Sequence, residues 1–148
     1  MRVNGLGLVA LLLIAVTTSA GLAHLFALPN KIGLPRESYL TVQQVYRGWS
    51  LLGVAFFGAL AATTWLAVLA RGRRAFYPTL VAALSLAASL IVFFAFTYPA
   101  NQQTANWTQL PEHWERLRLQ WEYSHAASAI LDLVALISFA VSLLVERR

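Results

Sequence analysis

The sequence predicts an all-α integral membrane protein: a four-helix bundle whose outer-face interfacial helix continues into the fourth span. Three observations carry that prediction. The 148 residues are 59% hydrophobic and 11% charged, where an ordinary soluble domain carries about 25% charged residues. Mean hydropathy is +0.63. Four long apolar runs, each of spanning length, follow one another along a chain whose size suits a single domain, residues 1–148. There is no cysteine, which excludes disulfides, thiolate zinc sites and cysteine-held iron–sulfur clusters. A metal would fall to His, Asp or Glu, and neither a metal nor a cofactor is expected. The net charge of +5 lies in short segments between apolar runs, where it sets membrane orientation and gives no reason to expect a nucleic-acid partner.

The first run, residues 3–28, has Asn4 and His24 as its strongly polar members and is ended by Pro29. Its alternative is a cleaved signal peptide, with Arg2 as n-region, 6–16 as h-region and Thr18, Ser19 and Ala20 as the small-residue cleavage site. The second and third runs, 49–70 and 75–98, carry no charge. Arg71, Gly72, Arg73 and Arg74 separate them, a linker so short that the two helices form an antiparallel hairpin. The fourth run, 126–145, contains one formal charge, Asp132. Small residues at helical spacing, Ala55, Gly58, Ala59 and Ala62, then Ala82, Ser85 and Ser89, read as close helix packing.

Orientation follows from the density of positive charge. Arg2, Arg71, Arg73, Arg74, Arg147 and Arg148 crowd into terminal and hairpin residues, while Lys31, Arg36, Arg47, Arg116 and Arg118 spread over two longer loops. The positive-inside rule places both termini and the arginine hairpin in the cytoplasm of a cell whose inner membrane holds the chain. Loops 29–48 and 99–125 then face outward, where Pro35 and Glu37 start a short helix and Arg47 stands at the bilayer. Membrane lipids are the expected surroundings, with a membrane protein partner or a second copy as a further neighbour.

The second outer segment is the most informative stretch. Pro111 and Glu112 read as a helix start, and no breaker follows before the C-terminus. Trp107, Leu110, Trp114, Leu117 and Trp121 recur in alternating steps of three and four, an apolar face suited to interfacial tryptophan anchors or to stacking on a ligand. At about 100° per residue, Arg118, Glu122, His125 and Asp132 share one arc of that helix. With Trp121 and Tyr123 at the interface, Asp132 lies about 10 Å deeper than His125 at 1.5 Å per residue, and it needs a partner, such as Thr17, inside the bundle. His24 sits at the depth of His125. Two imidazoles at one level suit a haem, a proton relay or a plain hydrogen-bonded pair. His113 reads as solvated, and Lys31, Arg36 and Arg47 pair with headgroups or with Glu112, Glu115 and Glu122, or form a cationic rim that steers an acidic or phenolic ligand.

The chain resembles a known family at Ala23-His24, at Leu28-Pro29-Asn30-Lys31, at Val42-Gln43 and at Tyr46-Arg47-Gly48-Trp49. The likeness continues through Pro99-Ala100-Asn101 to Trp107, Trp114, Arg118, Trp121 and His125. These residues are similar to the anthrone oxygenase-like family of small four-span membrane proteins, many of whose bacterial members were filed as a domain of unknown function. Fungal polyketide members oxidise anthrones to anthraquinones with molecular oxygen and no evident metal or flavin. The resemblance implies His24 and His125 as an acid–base pair, with Asn101, Trp107 and Arg118 shaping the pocket.

Three functions follow. An oxygenase holds a hydrophobic phenol or quinol between the first and fourth spans, with His24, His125, Arg118 and Asp132 catalytic. In that reading Asn101, Trp107, Trp114, Trp121, Arg47 and Lys31 bind the substrate, and Arg118 stabilises its oxyanion. A haem protein uses His24 and His125 as axial ligands. An accessory subunit docks a partner through the outer helix.

Overall fold

The computed structural model describes residues 5–145; Arg2, Asn4, Glu146, Arg147 and Arg148 lie outside them. Helix α1 (Gly5–Lys31) leads into the short α2 (Arg36–Gln43) and a 3-10 turn at Gln44–Tyr46. A second such turn, Trp49–Leu51, opens α3 (Leu52–Leu69). After the arginine hairpin comes α4 (Phe76–Val92), continued by a π-helical segment Phe93–Thr97 into α5 (Tyr98–Gln103), and α6 (Trp114–Val145) ends the described chain. Four of these stretches, Gly5–Lys31, Trp49–Leu69, Phe76–Gln103 and Trp114–Val145, are long and apolar enough to cross a membrane. This is a multi-pass membrane protein.

The spans form a ring in which α1 packs on α3, α3 on α4, α4 on α6 and α6 back on α1. Apolar residues fill its centre toward the arginine hairpin, with Ala10, Ile14, Ala59, Leu66, Ala82, Leu86, Ala135 and Phe139 buried together. The small residues serve packing here: Ala59 and Ala82 are buried, and so are Ser85 and Ser89. At the opposite end a second core gathers Tyr39, Ala100, Trp107, Leu117 and Trp121. Hydrogen bonds across the loops tie this end together, Arg36 Nη2 donating to the Leu110 carbonyl at 3.0 Å and Arg118 Nη1 to the Leu34 carbonyl at 2.8 Å.

Two boundaries and the direction of one face differ from the sequence reading. Pro29 lies inside α1 rather than after it. Its ring forfeits one intrahelical bond, yet the turn closes around it because the Ile32 amide donates to the Leu28 carbonyl at 3.0 Å. The outer helix starts at Trp114, after a turn at residues 112–113, and Trp107 precedes it in a non-helical loop. The tryptophan face is also turned inward rather than toward headgroups. Trp107 and Trp121 are 3% and 4% exposed, because α2 covers them with the ring of Tyr39, 5.2 Å from that of Trp107.

Candidate functional site

His24 and Lys31 are seven residues apart on α1, so both project from one face into the end of the bundle that carries the loops. From α6 come Trp121, Glu122, His125 and Asp132, and the 3-10 turn after α2 supplies Tyr46. His24 is in contact with two rings, stacked on Tyr46 at 4.1 Å and tilted against His125 at 4.2 Å. Trp49 and Trp121 meet it edge-on at 5.4 and 5.0 Å. The shared depth of the two histidines is therefore contact. That contact leaves no space for a macrocycle between them, so the pair does not fit axial ligation of a haem.

The Nδ1 of His125 lies 2.9 Å from the Trp121 carbonyl. A carbonyl only accepts, so Nδ1 carries the proton and a neutral ring keeps its lone pair on Nε2. Beside the histidines lies a buried polar network. Lys31 Nζ pairs with Glu122 Oε2 at 3.0 Å and donates to the Tyr46 hydroxyl at 2.8 Å. The Tyr39 hydroxyl donates to Glu122 Oε1 at 3.0 Å. Lys31 and Glu122 are 3% and 1% exposed, and two such charges are tolerable in that setting because each meets its opposite and a phenol. Burial, followed by the neighbouring Glu122 carboxylate, pushes the Tyr39 phenol well above the ordinary tyrosine range.

A cavity of about 680 Å3 occupies the space between the two cores, within the range typical of small-molecule sites. Its walls come from α1, α3, α4 and α6, with His24, Tyr46, Trp121 and His125 toward the loops and Asp132 in its depth. Phe57 of α3 and Phe94 of the π-helical segment after α4 line it while remaining 53% and 52% exposed on the outside of the bundle. The wall on this side is thus made of side chains that also reach the outer surface of the bundle. The first and fourth spans both line the cavity, and beside it they meet closely at Gly21, where an added Cβ would stand 3.2 Å from the Ala129 Cα.

Of the residues named from sequence, His24, His125, Asp132, Asn101, Trp107, Trp121 and Arg47 reach this cavity. Arg118 does not. Its guanidinium lies 4.6 Å over the Trp114 ring and bonds the Leu34 carbonyl, since α2 folds down on that side of α6. Trp114 and Lys31 also stand off the wall, the first held in the Tyr39 core and the second behind Tyr46. Asp132 does not meet Thr17, whose hydroxyl donates to the Ile14 carbonyl instead. Ser89 lies beside the carboxyl, and Oδ1 has no hydrogen-bond partner. Arg36 and Arg47 bond the Leu110 carbonyl and Gln44 rather than the outer glutamates. His113 is exposed and lies 3.1 Å from Gln103.

The sequence reading missed Tyr39, Gln43 and Tyr46 as site residues, whereas the pairing of Lys31 with Glu122, one of the alternatives it offered, is present. The i, i+4 spacing of Tyr39 and Gln43 on a short helix was the available signal. Tyr46 carried none, since it sits in a 3-10 turn whose direction only packing sets. Comparison with protein families, curated proteins and solved structures finds no match.

Proposed function

We propose that this chain is a membrane-embedded, cofactor-independent oxygenase that acts on a hydrophobic aryl ketone whose enol is a phenol, or on a related quinol. The observation that carries this reading is the His24–His125 pair, in ring contact at 4.2 Å, on the wall of an aromatic-lined cavity between apolar helices. A substrate dissolved in lipid enters between α3 and α4 and lies against Trp121 and Trp49. His125 Nε2 takes a proton from the activated carbon, and the electron pair left behind delocalises onto the aryl oxygen. That carbanion adds to dioxygen, forming a carbon–oxygen bond, and the peroxide anion takes the proton back from His125 to become a hydroperoxide. Loss of water from the hydroperoxide then leaves a new carbonyl, so one CH2 and one O2 become one C=O and one H2O. His24, in ring contact with His125, supports the imidazolium formed in the first step. The oxyanion role passes from Arg118 to the Tyr46 hydroxyl, the polar group on the wall that Lys31 backs.

In this reading the chain sits in a cell inner membrane with its termini and the arginine hairpin cytoplasmic, and the cavity serves the outer leaflet. The test is oxygen uptake by nanodisc-held protein supplied with anthrone. The wild type consumes oxygen and yields anthraquinone. His125→Gln, with an unchanged helical circular dichroism spectrum, loses about 10²- to 10⁴-fold in rate. Uptake no faster than with empty nanodiscs, or a His125→Gln variant as fast as wild type, overturns the proposal.

A further inference from the structure

Buried polar groups without a partner are rare, because each forfeits hydrogen bonds it had in water. Among the described residues most of them converge, with Arg118 Nε lying apart and Glu122 Oε2 in its ion pair with Lys31. Gln43 Nε2 and Oε1, Trp107 Nε1, His24 Nδ1 and Asp132 Oδ1 are buried without a hydrogen-bond partner, and all four residues face the one cavity. Gln43 and Trp107 both meet Tyr39 at the cavity's loop end. Gln43 is one helical turn beyond Tyr39 on α2, and its amide lies beside the Tyr39 hydroxyl without a hydrogen bond of good geometry. The Trp107 ring packs edge-on against the same Tyr39.

The backbone is bent to deliver Trp107 there. Ala105, Asn106 and Trp107 have φ of 47°, 56° and 62°, three successive left-handed residues of which asparagine alone adopts that conformation readily. The conformation is held from behind. The Asn106 amide donates to the Asn101 carbonyl at 2.7 Å, and the Thr104 hydroxyl accepts from the Trp107 amide at 3.1 Å. Strain of this kind persists where surrounding contacts over-determine it, and it concentrates at ligand sites.

We propose that Gln43 and Trp107 form a recognition site for a neutral hydroxyl group on the aromatic ligand. The chemistry is complementary. A hydroxyl has one proton and two lone pairs; Gln43 Oε1 accepts the proton, and Gln43 Nε2 and Trp107 Nε1 donate to the lone pairs. An ether lacks the proton and leaves Gln43 Oε1 unpaired, and a hydrocarbon lacks all three contacts and leaves the whole amide unpaired. This rests on reading the cavity as a phenol site, and it adds the group that distinguishes a phenol from other flat apolar molecules.

The experiment compares 1-naphthol with 1-methoxynaphthalene by calorimetric titration into nanodisc-held protein, with empty nanodiscs as the blank. The wild type prefers the naphthol by about tenfold or more. Gln43→Met, which keeps the length of the side chain, abolishes that preference by weakening the naphthol, which loses both amide contacts, more than the ether, which loses only the Nε2 donor. Without ligand it melts at the same or a higher temperature than wild type, because it buries a thioether where an unpaired amide stood. No preference in the wild type, or a preference that survives in Gln43→Met, overturns the proposal. So does a fall in melting temperature in both Gln43→Met and Gln43→Leu, which would mean that the amide is bonded within the fold. Loss of discrimination in a protein that never consumes oxygen leaves the hydroxyl site standing and removes the oxygenase.

Discussion

Glu122 is 1% exposed and shares its carboxylate between Lys31 and Tyr39. Taking one partner from such a group strands a charge, at a cost of about 3–5 kcal/mol. Tyr39 makes the network readable by pH. Its phenol keeps its proton in the fold well above the ordinary value of 10.0, whereas the unfolded chain releases that proton near that value. The contribution to stability is therefore complete below pH 10.0 and declines as pH rises beyond it, because only the unfolded state loses the proton. Melting curves in detergent between pH 8 and pH 11.5 should show wild type losing stability more steeply above about pH 10 than Tyr39→Phe. Parallel curves would mean that Tyr39 already ionises at its ordinary value.

The site is assembled where helices depart from the plainest geometry. In the π-helical segment Phe93–Thr97 a widened turn brings the Thr97 hydroxyl within 2.7 Å of Ser124 and leaves the Phe96 carbonyl to accept from Gln120 at 2.7 Å. On the other side, α1 and α6 meet at Gly21 and Ala129. A methyl at Gly21 would press on the Ala129 backbone at 3.2 Å, which yields only if the whole helix moves. Gly21→Ala should therefore lower stability by about 1–3 kcal/mol, the usual cost of overpacking. Gly53→Ala, whose added Cβ meets nothing within 4 Å, should be neutral or stabilising by about 0.5–1 kcal/mol through helix propensity. Thermal unfolding of the two variants in one detergent checks this, and equal effects would mean that the close approach of α1 and α6 is not tight.

Across the whole molecule, one end of the bundle is dry and aliphatic and the other is aromatic, charged and hollow. The arginine hairpin belongs to the first end and the loops around α2 to the second. If the hairpin is cytoplasmic, alkaline phosphatase fused after Gly72 stays inactive, and the same enzyme fused after Gln44 is active in the periplasm. The reverse pattern would turn the cavity toward the inner leaflet.

The four spans, the hairpin, the start of α2 and the common depth of His24 and His125 were legible because hydropathy, charge density and helical period are properties of consecutive residues. So was the arc that puts His125 and Asp132 on one side of α6. The π-helical segment was not legible, since its residues are as apolar and as helical as their neighbours. The partners of the polar groups were equally hidden. Tyr39 finds Glu122 across 83 residues and Arg118 finds the Leu34 carbonyl across 84. In both cases the fold of α2 onto α6 chose the contact. By itself the sequence determined which segments cross the membrane and which side chains lie at one level, because burial in lipid is decided segment by segment. Tertiary structure alone decided that Arg118 turns away, that Tyr46 stacks on His24 and that Gln43 and Trp107 face the cavity. Those outcomes depend on how helices and loops distant in the chain pack together, which no periodicity along a single element encodes.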